Sequence, residues 1–445
     1  MRIERLGDLG AAPAVLCAVA DAARRRGLPP PAALIGEWFG SGAVIAPSVS
    51  AVPVATSEVF DVAPGASGDV VGGGWFGYLS YPDAGADGRG PRIPEAAGGW
   101  SDCVLRQDRD GLWWYESLSG AGLSRWVAEA IETCAPIRPS TIEWGPANRD
   151  AHRRGVRECL DAIAAGEVYQ ACVCTQFVGR ITGAAPAATS NTGAAPAATS
   201  NTGAAPAATS NTGAAIEFFA DAVARTSPAR AAYVAGDWGA VASLSPELFL
   251  RRRGEAVTSS PIKGTLPQHN DPSELRASVK DVAENIMIVD LVRNDLGRVA
   301  VTGSVSVPEL LVVRPAPGVW HLVSTVTARV GVDMPMADVL DATFPPASVT
   351  GTPKLRARQL LRSWEPHRRG VYCGTVGLAS PIAGCELNVA IRTVEFDAHG
   401  GAVLGVGGGI TADSDPDREW DECLHKAAPI IQSAPDRRAE SVPIT

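Results

Sequence analysis

Residues 402–410, Ala402-Val403-Leu404-Gly405-Val406-Gly407-Gly408-Gly409-Ile410, read as an apolar strand running into glycines, and 413–416 opens a helix that continues to 431. Glycines let a backbone approach a ligand closely, and the N–H groups of Gly407, Gly408 and Gly409 can bind an anion. On the helix, Glu419, Glu422 and Lys426 are spaced by three and four residues, which puts them on one face within roughly 60° of arc. Two carboxylates and an ammonium beside a glycine cradle suit Mg²⁺ and a substrate carboxylate. The same spacing is also that of an ordinary surface salt-bridge ladder.

Outward from this unit, helices and strands interleave without a regular strand–helix–strand rhythm. The apolar periodicity predicts helices at 149–165, 216–225, 272–293, 353–363 and 415–431. Strands are expected at 169–181, 231–234, 240–244, 248–252, 256–258, 321–330, 371–379, 387–396 and 402–406. That pattern is α+β, not doubly wound α/β. Residues 1–147 form a strand-rich region with Gly/Pro connections, in which 72–78 reads as a strand closely approached by other backbone. No cluster of acids, bases or nucleophiles stands out there. Residues 148–434 carry the chemistry. Within them the decapeptide Thr-Gly-Ala-Ala-Pro-Ala-Ala-Thr-Ser-Asn occurs three times in tandem over 182–211, and a fourth copy begins at Thr212. These units have no large apolar side chain to stack, so 182–213 is expected to be a disordered loop expansion, and 435–445 a disordered tail.

The chain of 445 residues is 46% hydrophobic and 20% charged, enough apolar material for a large core, and its net charge of −9 argues against a nucleic-acid partner. No apolar run reaches the ~20 residues that cross a membrane. The charged residues of 1–9 and the interruption at Asp21 argue against a secretory signal. Nine cysteines at irregular spacing, with no Cys-x-x-Cys pair, fit free thiols in a cytoplasmic protein. Cys172 and Cys174 share one face of a strand, either as small hydrophobes or as a metal pair.

Of 39 basic residues only four are lysine: Lys263, Lys280, Lys354 and Lys426. A chain that uses arginine for surface charge either keeps lysine by chance or keeps it where a compact, deprotonatable amine is needed. Lys263 sits in Ser260-Pro261-Ile262-Lys263-Gly264-Thr265, read as a rigid loop, sixteen residues after Glu247. Glu247 is either a solvated strand-edge carboxylate or an acid for that amine. The 283–291 helix is apolar on nearly every side, so Glu284 needs a partner: a metal, or a salt bridge to Arg293 or Arg298. Arg392, in an apolar strand, calls for a carboxylate. Together these features suggest a site for a small polycarboxylate, with Mg²⁺, a lysine and an acid.

The blocks 166–170, 243–250, 261–265, 284–299, 321–325, 344–354, 365–377, 391–393 and 407–426 resemble, in order, the chorismate-utilising enzymes. The first third is similar only at 72–78. The resemblance implies two large antiparallel β-sheets packed together with helices outside, and a requirement for Mg²⁺ held by Glu284 and Glu422 with Glu419 nearby. Gln170 stands where water-activating members carry lysine, and so resembles the ammonia-using members. Lys263 stands where anthranilate synthases usually have alanine, and so resembles the members that aminate C4 of chorismate on the route to para-aminobenzoate and folate. In these, the lysine attacks C2, Glu247 protonates the departing 4-hydroxyl, and ammonia adds at C4 and expels the lysine. Arg392 and Tyr372 would grip the enolpyruvyl carboxylate, while Gly264, Thr265, His321, Ser348 and Lys426 line the site. No glutaminase motif is present, so the implied ammonia source is a separate glutamine amidotransferase subunit or ammonia from solution. Anthranilate synthase component I and a catalytically inactive chorismate-binding scaffold are the alternatives. Thr352 departs from the usual alanine, as do Cys172, Cys174 and Cys423 from the expected residues.

Overall fold

The computed structural model describes residues 1–66, 70–82, 88, 90–133, 137–184 and 207–431. Among the described residues the strands form two antiparallel sheets, of 12 and 10 strands. The first sheet passes from Arg2–Gly7 at one edge through Ala32–Trp38, Arg230–Gly236, Gly239–Ser245, Thr393–Asp397 and Gly401–Ile410 to Gln170–Ala184 and Gly351–Thr352. The second runs from Ile262–Pro267 through Val319–Arg329, Ala256–Ser260, Leu248–Arg253, Gly384–Asn388 and Thr375–Ser380 to Gly74–Leu79.

Side-chain alternation explains why the central strands are apolar nearly throughout. Ala33, Ile35, Ala231, Tyr233, Ala240 and Ala242 face a helical layer that contributes Leu16, Val19 and Phe219. Their neighbours Leu34, Ala232, Val234 and Val241 point the other way, against Phe76, Tyr78, Val376 and Leu378 of the second sheet. A strand buried on both faces has no polar side to show. The first third of the chain is woven into both sheets: Ala32–Trp38 pairs with Arg230–Gly236, and Gly74–Leu79 with Thr375–Ser380. Gly73 (φ +142°) and Gly74 (φ +143°) lie where a Cβ would drive into the carbonyls of Ser101 and Ala379, the close approach expected of that glycine run.

Several local expectations are corrected. The helix expected over 272–293 is two, Ser273–Ala277 and Val279–Gly297, because the Ser278 hydroxyl takes the Asp281 N–H at 3.2 Å and caps a new helix there. Nor is the second helix buried on every side, since Ile286 and Val279 are exposed. The strand expected over 387–396 is interrupted, with Arg392 in the left-handed region (φ +51°) between Gly384–Asn388 and Thr393–Asp397. The segment at Lys263 is a strand, Ile262–Pro267, not a loop. Of the expected disordered insertion, 182–184 extend the Gln170–Ala184 strand and 207–213 begin the Ala207–Thr226 helix. Alanine costs least to make helical, and the amphipathic stretch behind it propagates the turn. Residues 185–206 and the expected tail lie outside the described residues. No helix among the described residues is long and apolar enough to cross a membrane.

Candidate active site

Glu247 occupies the turn between Gly239–Ser245 and Leu248–Arg253 and is only 4% exposed. Its carboxylate lies beside the Ser348 hydroxyl and the Ile262 N–H. Burial pushes this carboxyl up to about 7, against those two donors and the Lys263 ammonium, all of which favour the charged form. Lys263 Nζ donates to the Ser348 carbonyl at 3.0 Å. Ser348 therefore touches both groups, one through its hydroxyl and the other through its main chain. It sits in a short 3₁₀ turn, Ala347–Val349.

The Gly401–Ile410 strand forms one wall. Gly409 pairs with Cys172 in register, and a Cβ there would lie 2.6 Å from Gln170 Nε2 and 3.5 Å from Lys263 Nζ. Gln170 is buried, and its Oε1 has no partner. At Gly408 a Cβ would stand 2.9 Å from Glu419 Oε2, 3.8 Å from Glu422 Oε1 and 3.9 Å from Lys426 Nζ, so the missing side chain makes room for that cluster. Gly407 turns its other face to Cys174 Sγ, and its carbonyl accepts from Lys426 at 2.8 Å.

Glu419, Glu422 and Lys426 do share a face, and that face looks into the site. Lys426 pairs with Glu422 at 2.6 Å, Ser414 donates to Glu419 Oε1 at 2.7 Å, and Glu419 Oε2 is buried without a partner. Glu284 comes in from the Val279–Gly297 helix. Its partner is neither Arg293, which pairs with Asp290, nor Arg298, which donates to the Ala342 carbonyl. It is Lys280, 3.9 Å away, which also lies 3.6 Å from Glu419. Burial pushes the Glu284 carboxyl up, with Lys263 and Lys280 opposing the shift. For Glu422 burial is outweighed by Lys426, Lys280 and Lys263, and its carboxyl is held low.

On the opposite side Thr265 and His321 are register partners, with Thr265 Oγ1 2.9 Å from His321 Nδ1. Gly264 (φ +85°) lets the Val279–Gly297 helix close in, since a Cβ there would stand 3.1 Å from Asp281. Burial pushes the His321 imidazole down to about 4, aided by the Arg392 guanidinium, so the ring is neutral near pH 7. The Arg392 side chain makes no hydrogen bond or ion pair among the described residues, and burial lowers its pKa. A desolvated guanidinium of this kind calls for a carboxylate from outside the chain.

Tyr372 is buried against Gly405, in the cluster that also holds Cys172, Cys174 and Cys373. Cys172 and Cys174 lie 3.9 Å apart in that core, with thiols pushed well up, which is the small-hydrophobe role. The main residue of the cluster that the sequence reading did not place there is Lys280, although its i,i+4 spacing to Glu284 signals the contact. Ser414 carried no signal of its own. A cavity of about 650 Å³, lined by Cys17, Arg24, Pro30, Ile216 and Trp238 among others, contains none of these residues.

Among the described residues no three acidic, imidazole or thiol side chains converge as a closed metal shell. The donor chemistry nevertheless fits a hard divalent cation. Glu284 and Glu419 are buried carboxylates sharing one cation, Lys280, and Glu419 keeps an unpartnered oxygen.

A family model described as chorismate binding enzyme matches residues 202–432. Aminodeoxychorismate synthase component 1 of Salmonella typhimurium is 47% identical over 200 residues, 43% of this chain and 44% of that one. Aminodeoxychorismate synthase of Streptomyces griseus is 35% identical over 394 residues, 81% of this chain and 50% of that one. The chain thus spans about half the length of the curated relatives it matches. In fold it is similar to anthranilate synthase component I from Streptococcus pneumoniae, with a TM-score of 0.67 and 23% identity over 91% of this chain and 90% of that one.

Proposed function

The chain belongs to the chorismate-binding enzyme family, and from that premise we propose that it is an aminodeoxychorismate synthase component 1, converting chorismate and ammonia to 4-amino-4-deoxychorismate. The observation that carries this is the Lys263–Ser348–Glu247 arrangement: an amine and a buried acid, both held by Ser348, with the acid's carboxyl raised to about 7. A group with that value is half protonated near neutrality and suits general acid work.

In this mechanism Lys263 adds to C2 of chorismate as the ring double bonds shift, and the C4–oxygen bond breaks. Glu247 gives its proton to the leaving hydroxyl, which departs as water. Ammonia then forms the new bond at C4, the double bonds shift back, and the Lys263 amine leaves. Arg392 is free to take a substrate carboxylate, and neutral His321 lines that end of the site without adding charge. Gln170, with its unused Oε1, is suited to receiving ammonia. Mg²⁺ is the cofactor of this reading; Glu284, Glu419 and Glu422 would hold it, and when bound it supplies positive charge for a substrate carboxylate. The chain then works in the cytoplasm with a separate glutamine amidotransferase as ammonia source.

The test is incubation of the purified chain with chorismate, Mg²⁺ and an ammonium salt, with product identified by mass spectrometry. 4-Amino-4-deoxychorismate is expected. Anthranilate with pyruvate would replace this reading by the anthranilate synthase one, and unchanged chorismate would leave only the scaffold.

A further inference from the structure

Three lysines share the site and are held differently. Lys426 is locked by Glu422 at 2.6 Å and the Gly407 carbonyl at 2.8 Å, and Lys263 by the Ser348 carbonyl at 3.0 Å. Lys280 has no contact that close. Its Nζ stands 3.6 Å from Glu419 and 3.9 Å from Glu284, longer than a well-formed N–H···O bond, and its side chain is 46% exposed. It is the second residue of its helix, next to a Val279 that is 84% exposed, so its stem opens onto solvent. The acids it neutralises are the reverse. Glu419 is 4% and Glu284 8% exposed, and Glu419 Oε2 has no partner at all. Buried carboxylates are ordinarily paired tightly because an uncompensated charge there is costly. Here the compensation is loose and its cation is half exposed.

We propose that Lys280 is an exchangeable counter-ion: its ammonium stands between Glu284 and Glu419 in place of a divalent cation, and swings out to solvent when the cation binds. The proposal rests on the assignment of these carboxylates to Mg²⁺. Lysine suits the role because a point charge on a flexible stem releases easily, whereas arginine's planar fork would grip a carboxylate at two points. Metal affinity is then set by competition with the chain's own side chain, and the metal-free protein keeps its acidic cluster compensated.

The test is calorimetric titration of the full chain with Mg²⁺, without substrate, for wild type, K280M and K280R, beside melting temperatures in chelator and in Mg²⁺. K280M keeps the stem and removes the competitor, so its Mg²⁺ affinity should rise on the order of tenfold. Its melting temperature in chelator should fall, and Mg²⁺ should restore it by a larger increment than in wild type. K280R should bind Mg²⁺ more weakly than wild type. Equal or weaker binding by K280M, with wild type binding normally, overturns the counter-ion role alone. If wild type and E419Q both take up no Mg²⁺, the metal assignment itself fails and the proposal with it. Should K280M not fold, K280Q serves in the same titration; if neither folds even in Mg²⁺, a cation cannot replace Lys280 and the proposal is wrong.

Discussion

Replacing Glu247 by glutamine should stabilise the protein at alkaline pH while abolishing turnover. Glu247 is 4% exposed and its carboxyl is raised from 4.5 to about 7, chiefly by burial. Between those values the folded chain holds a proton that the unfolded chain has released. Stability therefore falls as the pH rises through that window, and the loss is complete above about 7. At 1.36 kcal/mol per pH unit the full loss is on the order of 3 kcal/mol. Glutamine has the shape of the neutral acid and nothing to ionise, so Glu247→Gln should match wild type near pH 4 and exceed it by about 1–3 kcal/mol at pH 8. Urea unfolding followed by tryptophan fluorescence at several pH values reads this directly. In the proposed mechanism the same proton goes to the leaving hydroxyl, so wild-type kcat/KM should decline above about pH 7 as Glu247 ionises. A stability difference that is flat across pH 4–8 would refute both the buried-acid assignment and the pH argument built on it.

Lys263→Arg keeps a cation but not a releasable amine, and should lose 4-amination by at least about a hundredfold. Intact-protein mass after mixing with chorismate in the absence of ammonia should reveal an adduct on Lys263 in wild type only, and a wild-type rate in the variant would exclude the covalent step. Gly408→Ala would bring a Cβ to 2.9 Å from Glu419 Oε2, so Mg²⁺ affinity should drop while circular dichroism stays unchanged; unaltered affinity would remove Glu419 from the metal set. Glu386, fully buried, accepts from Arg230 at 2.8 Å, Arg251 at 2.7 Å and the Phe39 N–H at 3.1 Å, joining the two sheets. Glu386→Ala strands those donors and should cost about 3–5 kcal/mol in denaturant unfolding; a cost under about 1 kcal/mol would show that the pairs are dispensable.

What the sequence disclosed and what it hid divide along a physical line. Periodicity is local, so the 149–165 and 415–431 helices and the strands at 231–234, 240–244 and 248–252 were legible within a few residues. The break at Arg392 was not, because φ +51° there is imposed by the fold around it, and nothing in Asn388-Val389-Ala390-Ile391-Arg392 signals a turn. Scarcity of lysine was an informative count: Lys263, Lys280 and Lys426 meet at one site. Lys354 does not, being held by Asp295 at 2.5 Å and by the carbonyls of Thr343 and Pro345. That fourth lysine shows why composition alone could not sort amines of the candidate site from structural ones.

The acid and the amine illustrate the boundary most sharply. Glu247 and Lys263 are sixteen residues apart, and the strands Leu248–Arg253 and Ala256–Ser260 between them pair antiparallel with Leu248 opposite Ser260. A hairpin returns the chain to where it started, so an acid just before its first strand and an amine just after its second must lie at the same end. That half of the geometry is inherent in the spacing. The other half is Ser348, which touches both groups from far along the chain, and such a contact exists only once both sheets have closed. Burial by that closure is also what raises Glu247 to about 7. The pairing of acid and amine is therefore a property of local sequence, whereas the protonation state that makes the acid useful belongs to the completed fold.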